Sequence, residues 1–234
     1  MGYNPGLLDL FVEWAKTHDI KPGAAVLDIG TSELFCAEDP ESLNRFLRHF
    51  GAPPYLDDEL ERMAGRGFAA ELFGRAGLSY QAVDIMPYPR TLKIDLNNGR
   101  LPFWHRRRYA LVTNCGTTEH VLNQFNAFRL VHDATAVGGL MYHHAPMAGE
   151  FDHGFISYHP KFFVRLAEAN AYEVLRMWGS ATEHAHVHEE TRKVELDRPL
   201  VTQDAYLHVL LRKTWKGAFR APSDCVGWPP VPSA

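Results

Sequence analysis

Three acids and several groups of histidines stand where chemistry could be done. Asp28, Asp84 and Asp95 each close a short run of strand character: Ala24 to Asp28, Ser79 to Asp84, and Thr91 to Asp95. An acid at the carboxyl end of a buried parallel strand sits by the crevice where open α/β sheets bind ligands. Asp28 is accordingly expected to point toward that crevice. Gly30 lets the backbone turn sharply just beyond it and approach a ligand closely. Another apolar run ends in Asn114-Cys115-Gly116 and is followed by Glu119-His120. A histidine there suits proton removal, because its ordinary pKa lies near neutrality; its other reading is a helix cap. His143, His144, His153 and His159 gather around Asp152-His153-Gly154-Phe155 and Tyr158-His159-Pro160. Titratable groups, a glycine and aromatics together suit a pocket for a small polar or sugar-like molecule.

The run Glu183 to Glu190 is the most unusual. If extended, it puts His184, His186 and His188 on one face, a ligand type suited to zinc or a related ion. Neighbours on one strand rarely converge on a single ion, however. A solvated hairpin or a homodimer contact is the plainer reading, and no metal cofactor is expected.

Bulk properties narrow the choice. With 46% hydrophobic residues in 234, the chain can bury a large core, so one domain over 1–234 is expected. A net charge of −4 gives no general attraction to nucleic acid or anionic membrane. No apolar run approaches a membrane span, and Met1 to Pro5 lacks the pattern of a secretion signal. Cys36, Cys115 and Cys225 form neither a disulfide framework nor a CxxC pair, so a cytoplasmic location is expected.

The elements that must position these residues alternate. Leu7 to Thr17 carries helical periodicity, and Ala24 to Thr31 is the first strand. Pro40 to Phe50 reads as a helix, and Asp57 or Asp58 caps another that runs through Phe73. Strands follow at Ser79 to Asp84, Thr91 to Ile94, Tyr109 to Asn114, Leu140 to His144 (stopped by Pro146), Tyr172 to Trp178 and Tyr206 to Lys213. Helices are expected over Val121 to Thr135 and Lys161 to Asn170. Arg106-Arg107-Arg108 reads as a solvated turn, and the Pro-rich tail from Trp228 as a surface strap or a disordered end. Strands alternating with helices give a doubly wound, mostly parallel, seven-stranded α/β sheet.

In this order the strand ends resemble the class I S-adenosylmethionine-dependent methyltransferases. The likeness covers roughly residues 20–214. It is carried by Asp28 and Gly30, Asp84, Asp95-Leu96, Leu-Pro-Phe at 101–103, Tyr-Ala-Leu-Val at 109–112, Thr-Glu-His-Val at 118–121, and Gly-Gly-Leu-Met before His-His-Ala-Pro. Thr-Thr-Glu-His-Val and Asp-His-Gly-Phe-Ile-Ser-Tyr-His-Pro point to a bacterial small-molecule branch. The resemblance implies S-adenosylmethionine as cofactor. Asp84 would accept the ribose hydroxyls and Asp95, with Leu96, would contact adenine. Gly30, Thr31 and Ser32 would admit the methionine portion with Asp28 beneath, Ile85 would follow the ribose acid, and Asn114, Cys115 and Gly116 would line the floor.

It further implies methyl transfer to oxygen or nitrogen of a small polar, sugar-like or natural-product acceptor. His120 and His153 are the candidate bases; His144, Phe155, Tyr158 and His159 are the candidate acceptor contacts. The chain departs from the family at Ser32 and Leu34, where small residues are usual; Leu34 either crowds the cofactor or turns into the core. It also carries an inserted helical segment at 35–58, placed to act as a lid. The competing readings are a non-catalytic scaffold with this fold and a metal-dependent enzyme built on the histidine-rich segments.

Overall fold

The computed structural model describes residues 2–150, 153–181 and 204–224. Asp152, the run His184, His186 and His188, Cys225 and the Pro-rich tail lie outside the described residues. In chain order the elements are β1 (Gly2–Tyr3), α1 (Pro5–Thr17), β2 (Ala25–Ile29), β3 (Glu33–Leu34), α2 (Glu41–His49), α3 (Asp57–Arg66), α4 (Ala69–Arg75), β4 (Ser79–Asp84), β5 (Thr91–Lys93), β6 (Tyr109–Cys115), α5 (Gln124–Ala134), β7 (Thr135–Ala148), α6 (Pro160–Asn170), β8 (Tyr172–Ala181) and β9 (Ala205–Lys213). The main sheet has seven strands in the order β5-β4-β2-β6-β7-β9-β8. All its pairings are parallel except those of β9, which runs antiparallel to both β7 and β8.

Two apolar layers flank this sheet. Along β2, Leu27 and Ile29 pack with Phe128 and Phe163 of α5 and α6, while Val26 packs with Phe11, Phe46 and Phe73 of α1, α2 and α4. This alternation is the strand period at work: both faces are covered, so both are apolar. The rings of Phe11 and Phe46 lie 5.4 Å apart, and those of Phe46 and Phe73 5.1 Å apart. Segment 35–58 is held here by its aromatics and by Asn44, whose side chain bridges the backbone N–H and C=O of Tyr55 at 2.7 and 3.2 Å.

The structure corrects several boundaries. The helix expected through Phe73 is two, because Gly67 is extended between α3 and α4 (φ −75°, ψ 158°). Leu34 causes the break: its N–H donates to Gly67 O at 2.8 Å, and a Cβ on Gly67 would lie 3.0 Å from Leu34 Cδ1. Neither Asp57 nor Asp58 caps α3 by side chain; Leu56 precedes it and both acids lie in the first turn, where they favour the helix dipole. Helix α5 starts at Gln124, capped by Asn123, rather than at Val121. Pro146 does not stop the fifth sheet strand. It pairs opposite Tyr206 where the register shifts, and such irregular places tolerate a residue without an N–H.

Candidate functional site

Gly30 ends β2 with a positive φ of 84°, donating its N–H to Val83 O at 2.8 Å. A side chain there would collide with Thr117, so only glycine leaves this turn open. Next to it, the Asp84 carboxylate at the end of β4 accepts from Thr31 N (2.8 Å) and Met86 N (3.0 Å), which ties two sheet-end loops together. Asp95 accepts from Asn97 N at 2.8 Å and from the side chains of Asn97 and Asn98. The Asn97 N–H holds its carboxyl below the usual carboxylate value. These residues converge on one cavity of about 480 Å³ at the carboxyl ends of β2 and β4. Its lining includes Gly30, Asp84, Ile85, Asp95, Leu96 and His120, six of the residues anticipated. Val83, Asn97, Thr117 and Val121 also line it and were not foreseen.

Asp28 does not face that cavity. It is 1% exposed and receives the hydroxyls of Tyr3 (2.8 Å), Tyr80 (2.7 Å) and Thr113. Burial raises its pKa, and the hydroxyl donors work against that rise. Its side chain leaves β2 on the same face as Val26, so it bolts β1, β4 and β6 together beneath the turn. Ser32 and Leu34 are buried as well. Leu34 turns into the core and does not crowd the cavity. Cys115 and Gly116 are buried in or just beyond β6. No residue of 35–58 lines the cavity.

Asn114 is fully buried and shapes the next segment. Its Oδ1 accepts from Thr118 N (3.1 Å) and Thr117 N (3.3 Å), and its Nδ2 donates to Thr118 Oγ1 at 2.9 Å. That fixes a 3₁₀ turn over Thr118–His120. Gln124 Nε2 donates to Thr118 O at 2.7 Å, while the Tyr158 hydroxyl donates to Gln124 Oε1 at 2.5 Å and stands 3.0 Å from Thr118 Oγ1. The turn therefore presents Glu119 inward and His120 outward.

Around that turn the structure unites residues far apart in sequence. The rings of His120 and His153 are 4.9 Å apart. His153 Nε2 lies 3.7 Å from Glu119 Oε1, and its Nδ1 lies 3.4 Å from Glu150 Oε2. The Glu119 carboxylate raises the His153 pKa, whereas burial lowers that of His120. Gly154 allows the approach, since a Cβ there would lie 3.0 Å from Glu119 Cγ, and Phe155 N donates to Glu119 O at 2.8 Å.

The other anticipated acceptor contacts are dispersed. Tyr158 is buried in the network just described. His144 stacks on His208 (ring centroids 4.5 Å) within the β7–β9 pair. His159 lines a separate groove of about 410 Å³ with Lys161 and Arg165. Phe155 is 75% exposed.

A seven-stranded sheet of this order, with its one antiparallel strand inserted next to the edge, decides the fold class. It is the fold of the class I S-adenosylmethionine-dependent methyltransferases. No family model matches the chain, and no curated protein sequence does. Among solved structures, a protein from Galdieria sulphuraria described as a candidate sarcosine dimethylglycine methyltransferase is similar over 90% of this chain and 85% of its own, with 13% identity and a TM-score of 0.51. The 1,6-didemethyltoxoflavin-N1-methyltransferase of Burkholderia thailandensis, solved with S-adenosylhomocysteine, is similar over 88% of this chain and 78% of its own, with 13% identity and a TM-score of 0.49. No helix among the described residues is long and apolar enough to cross a membrane.

Proposed function

We propose that this methyltransferase-fold chain binds S-adenosylmethionine and transfers its methyl group to oxygen or nitrogen of a small polar acceptor. The observation that carries this reading is the cavity walled by Gly30, Asp84, Asp95 and His120 at the carboxyl ends of the sheet. The residues fit the group. Gly30 keeps its tight, positive-φ turn against Thr117 and lines the cavity with it, which suits the methionine portion. Each Asp84 oxygen already holds one N–H and keeps a free lone pair for a ribose hydroxyl. Asp95, Leu96 and Asn97 form the wall that suits adenine.

When bound, the cofactor supplies a methyl group activated by its sulfonium. The protein's part is to hold the acceptor in line and exclude water. A hydroxyl acceptor also has to lose a proton, and we assign that task to the cluster of Glu119, His120 and His153. His120 lines the cavity, and its lowered pKa keeps it neutral and able to accept a proton at pH 7. Phe155, exposed and anchored to Glu119, is the retained acceptor contact.

Isothermal calorimetry with S-adenosylmethionine and S-adenosylhomocysteine tests the reading. One site per chain is expected; absence of heat at millimolar ligand would sink it in favour of a scaffold that keeps the fold.

A further inference from the structure

Glu119 is an expensive residue to keep. Its side chain is fully buried, and neither carboxylate oxygen has a hydrogen-bond partner. A buried carboxyl group without a hydrogen bond destabilises a fold. His153 Nε2 is likewise without a hydrogen-bond partner and sits 3.7 Å from Glu119 Oε1, an ion-pair spacing. With His120 they form one group whose ligand atoms all lie within 4.8 Å of one another, the only such group among the described residues.

We infer that Glu119, His120 and His153 bind a single divalent first-row transition cation such as Zn²⁺. Two imidazoles and one carboxylate are a known donor set for such ions. Bonds of about 2.0–2.2 Å in a tetrahedral shell put ligand atoms about 3.4 Å apart, so the cluster need close by at most about 1.4 Å at its widest. The surroundings are built for it. His153 turns its Nδ1 to Glu150, 3.4 Å away, the carboxylate–histidine arrangement that orients a metal-bound imidazole. Glu150 is itself held by the Tyr206 hydroxyl, and its N–H donates to Asp204 Oδ1 at 2.8 Å. Glu119 is placed by the Asn114–Thr118–Gln124 network on one side and by Gly154 and Phe155 N on the other. The ligands come from two separate segments, which the His184–His188 run does not offer.

The ion would stand beside His120, at the wall of the cofactor cavity. Resting on the methyl-transfer reading, an acceptor hydroxyl bound to it would release its proton to solvent near neutral pH, and the cation would replace a histidine base.

The test uses the untagged full chain carrying His184→Ala, His186→Ala and His188→Ala, which removes the competing histidines. Titration with Zn²⁺ by calorimetry, and with Co²⁺ by visible absorption, should show one equivalent bound. Glu119→Gln and His153→Ala should each weaken binding at least tenfold, and Glu150→Gln by about 10- to 100-fold. Metal-free Glu119→Gln should unfold in urea at nearly the same midpoint as its parent, because the residue replaced makes no side-chain hydrogen bond. No binding in the triple variant would overturn the inference, as would unchanged affinity in Glu119→Gln. Failure to bind S-adenosylhomocysteine with metal binding intact would overturn the proposed function alone.

Discussion

Asp84 is the sharpest test of the cofactor map. Its two oxygens each accept one backbone N–H, from Thr31 and Met86. If both also accept a ribose hydroxyl, Asp84→Ala removes two hydrogen bonds to a charged group. Each contributes about 1.5–3 kcal/mol, so the loss is about 3–6 kcal/mol, or roughly 10²- to 10⁴-fold in affinity. Asp84→Asn keeps one carbonyl oxygen and should lose about half of that free energy, roughly 10- to 100-fold. The backbone donors freed by the alanine sit at the cavity rim and can turn to water, so stability should fall by only about 1 kcal/mol. Calorimetry with S-adenosylhomocysteine gives the affinities, and a urea midpoint checks the fold. A wild-type chain that binds and an Asp84→Ala chain that binds within threefold of it would refute the placement of the ribose.

Three further outcomes follow from the same structure. Asp28→Ala strands the buried hydroxyls of Tyr3, Tyr80 and Thr113 and should cost about 3–6 kcal/mol in urea denaturation; a loss below 1 kcal/mol would mean that they re-pair freely. Gly30→Ala places a Cβ against Thr117 in a left-handed backbone conformation, so it should cost about 1–3 kcal/mol in urea denaturation and lower S-adenosylhomocysteine affinity at least tenfold; no change in either would refute the tight turn. His143 is buried with its pKa pushed down to about 3 by desolvation. Its neutral form is the folded one, so its contribution is whole above the unfolded value of about 6.5 and falls by about 1.4 kcal/mol per pH unit below it, reaching about 2 kcal/mol at pH 5. His143→Phe, packing against Phe128 and Phe163, should flatten the stability-versus-pH curve by that amount; an identical slope would refute it.

What the sequence made legible depended on how local each cause was. Strand β4 is bounded as expected because its burial pattern, glycine entry and terminal acid all lie within a few residues. The Gly67 break was hidden because its cause, Leu34, is over thirty residues away. The extension of β7 past Pro146 was hidden for a similar reason: the bulge opposite Tyr206 depends on a partner strand that periodicity does not report. At the site, Asp84, Asp95 and His120 could be placed by strand ends alone. The roles of Asn114, Gln124 and Tyr158 could not, since they arise from one hydroxyl–amide network joining β6, α5 and the loop before α6. Glu119 next to His120 reads from the sequence as a residue at the crevice edge; only the packing of Gly154 against it shows that it is sealed.

The departure at Ser32 and Leu34 acquires a physical cause from the start of the chain. Gly2 and Tyr3 pair in parallel with Glu33 and Leu34, and a side chain at Gly2 would collide with Glu33. Tyr3 then reaches under the turn to Asp28. With a strand lying across it, the segment after Gly30 is drawn away from the cavity, and its alternate residues point inward. A glycine at position 34 would gain nothing there, whereas a leucine seals the contact with Gly67. The turn therefore needs just one residue without a side chain, Gly30. The large residue that follows it belongs to the clamp that holds the N-terminal strand, so the unusual motif leaves the cavity open.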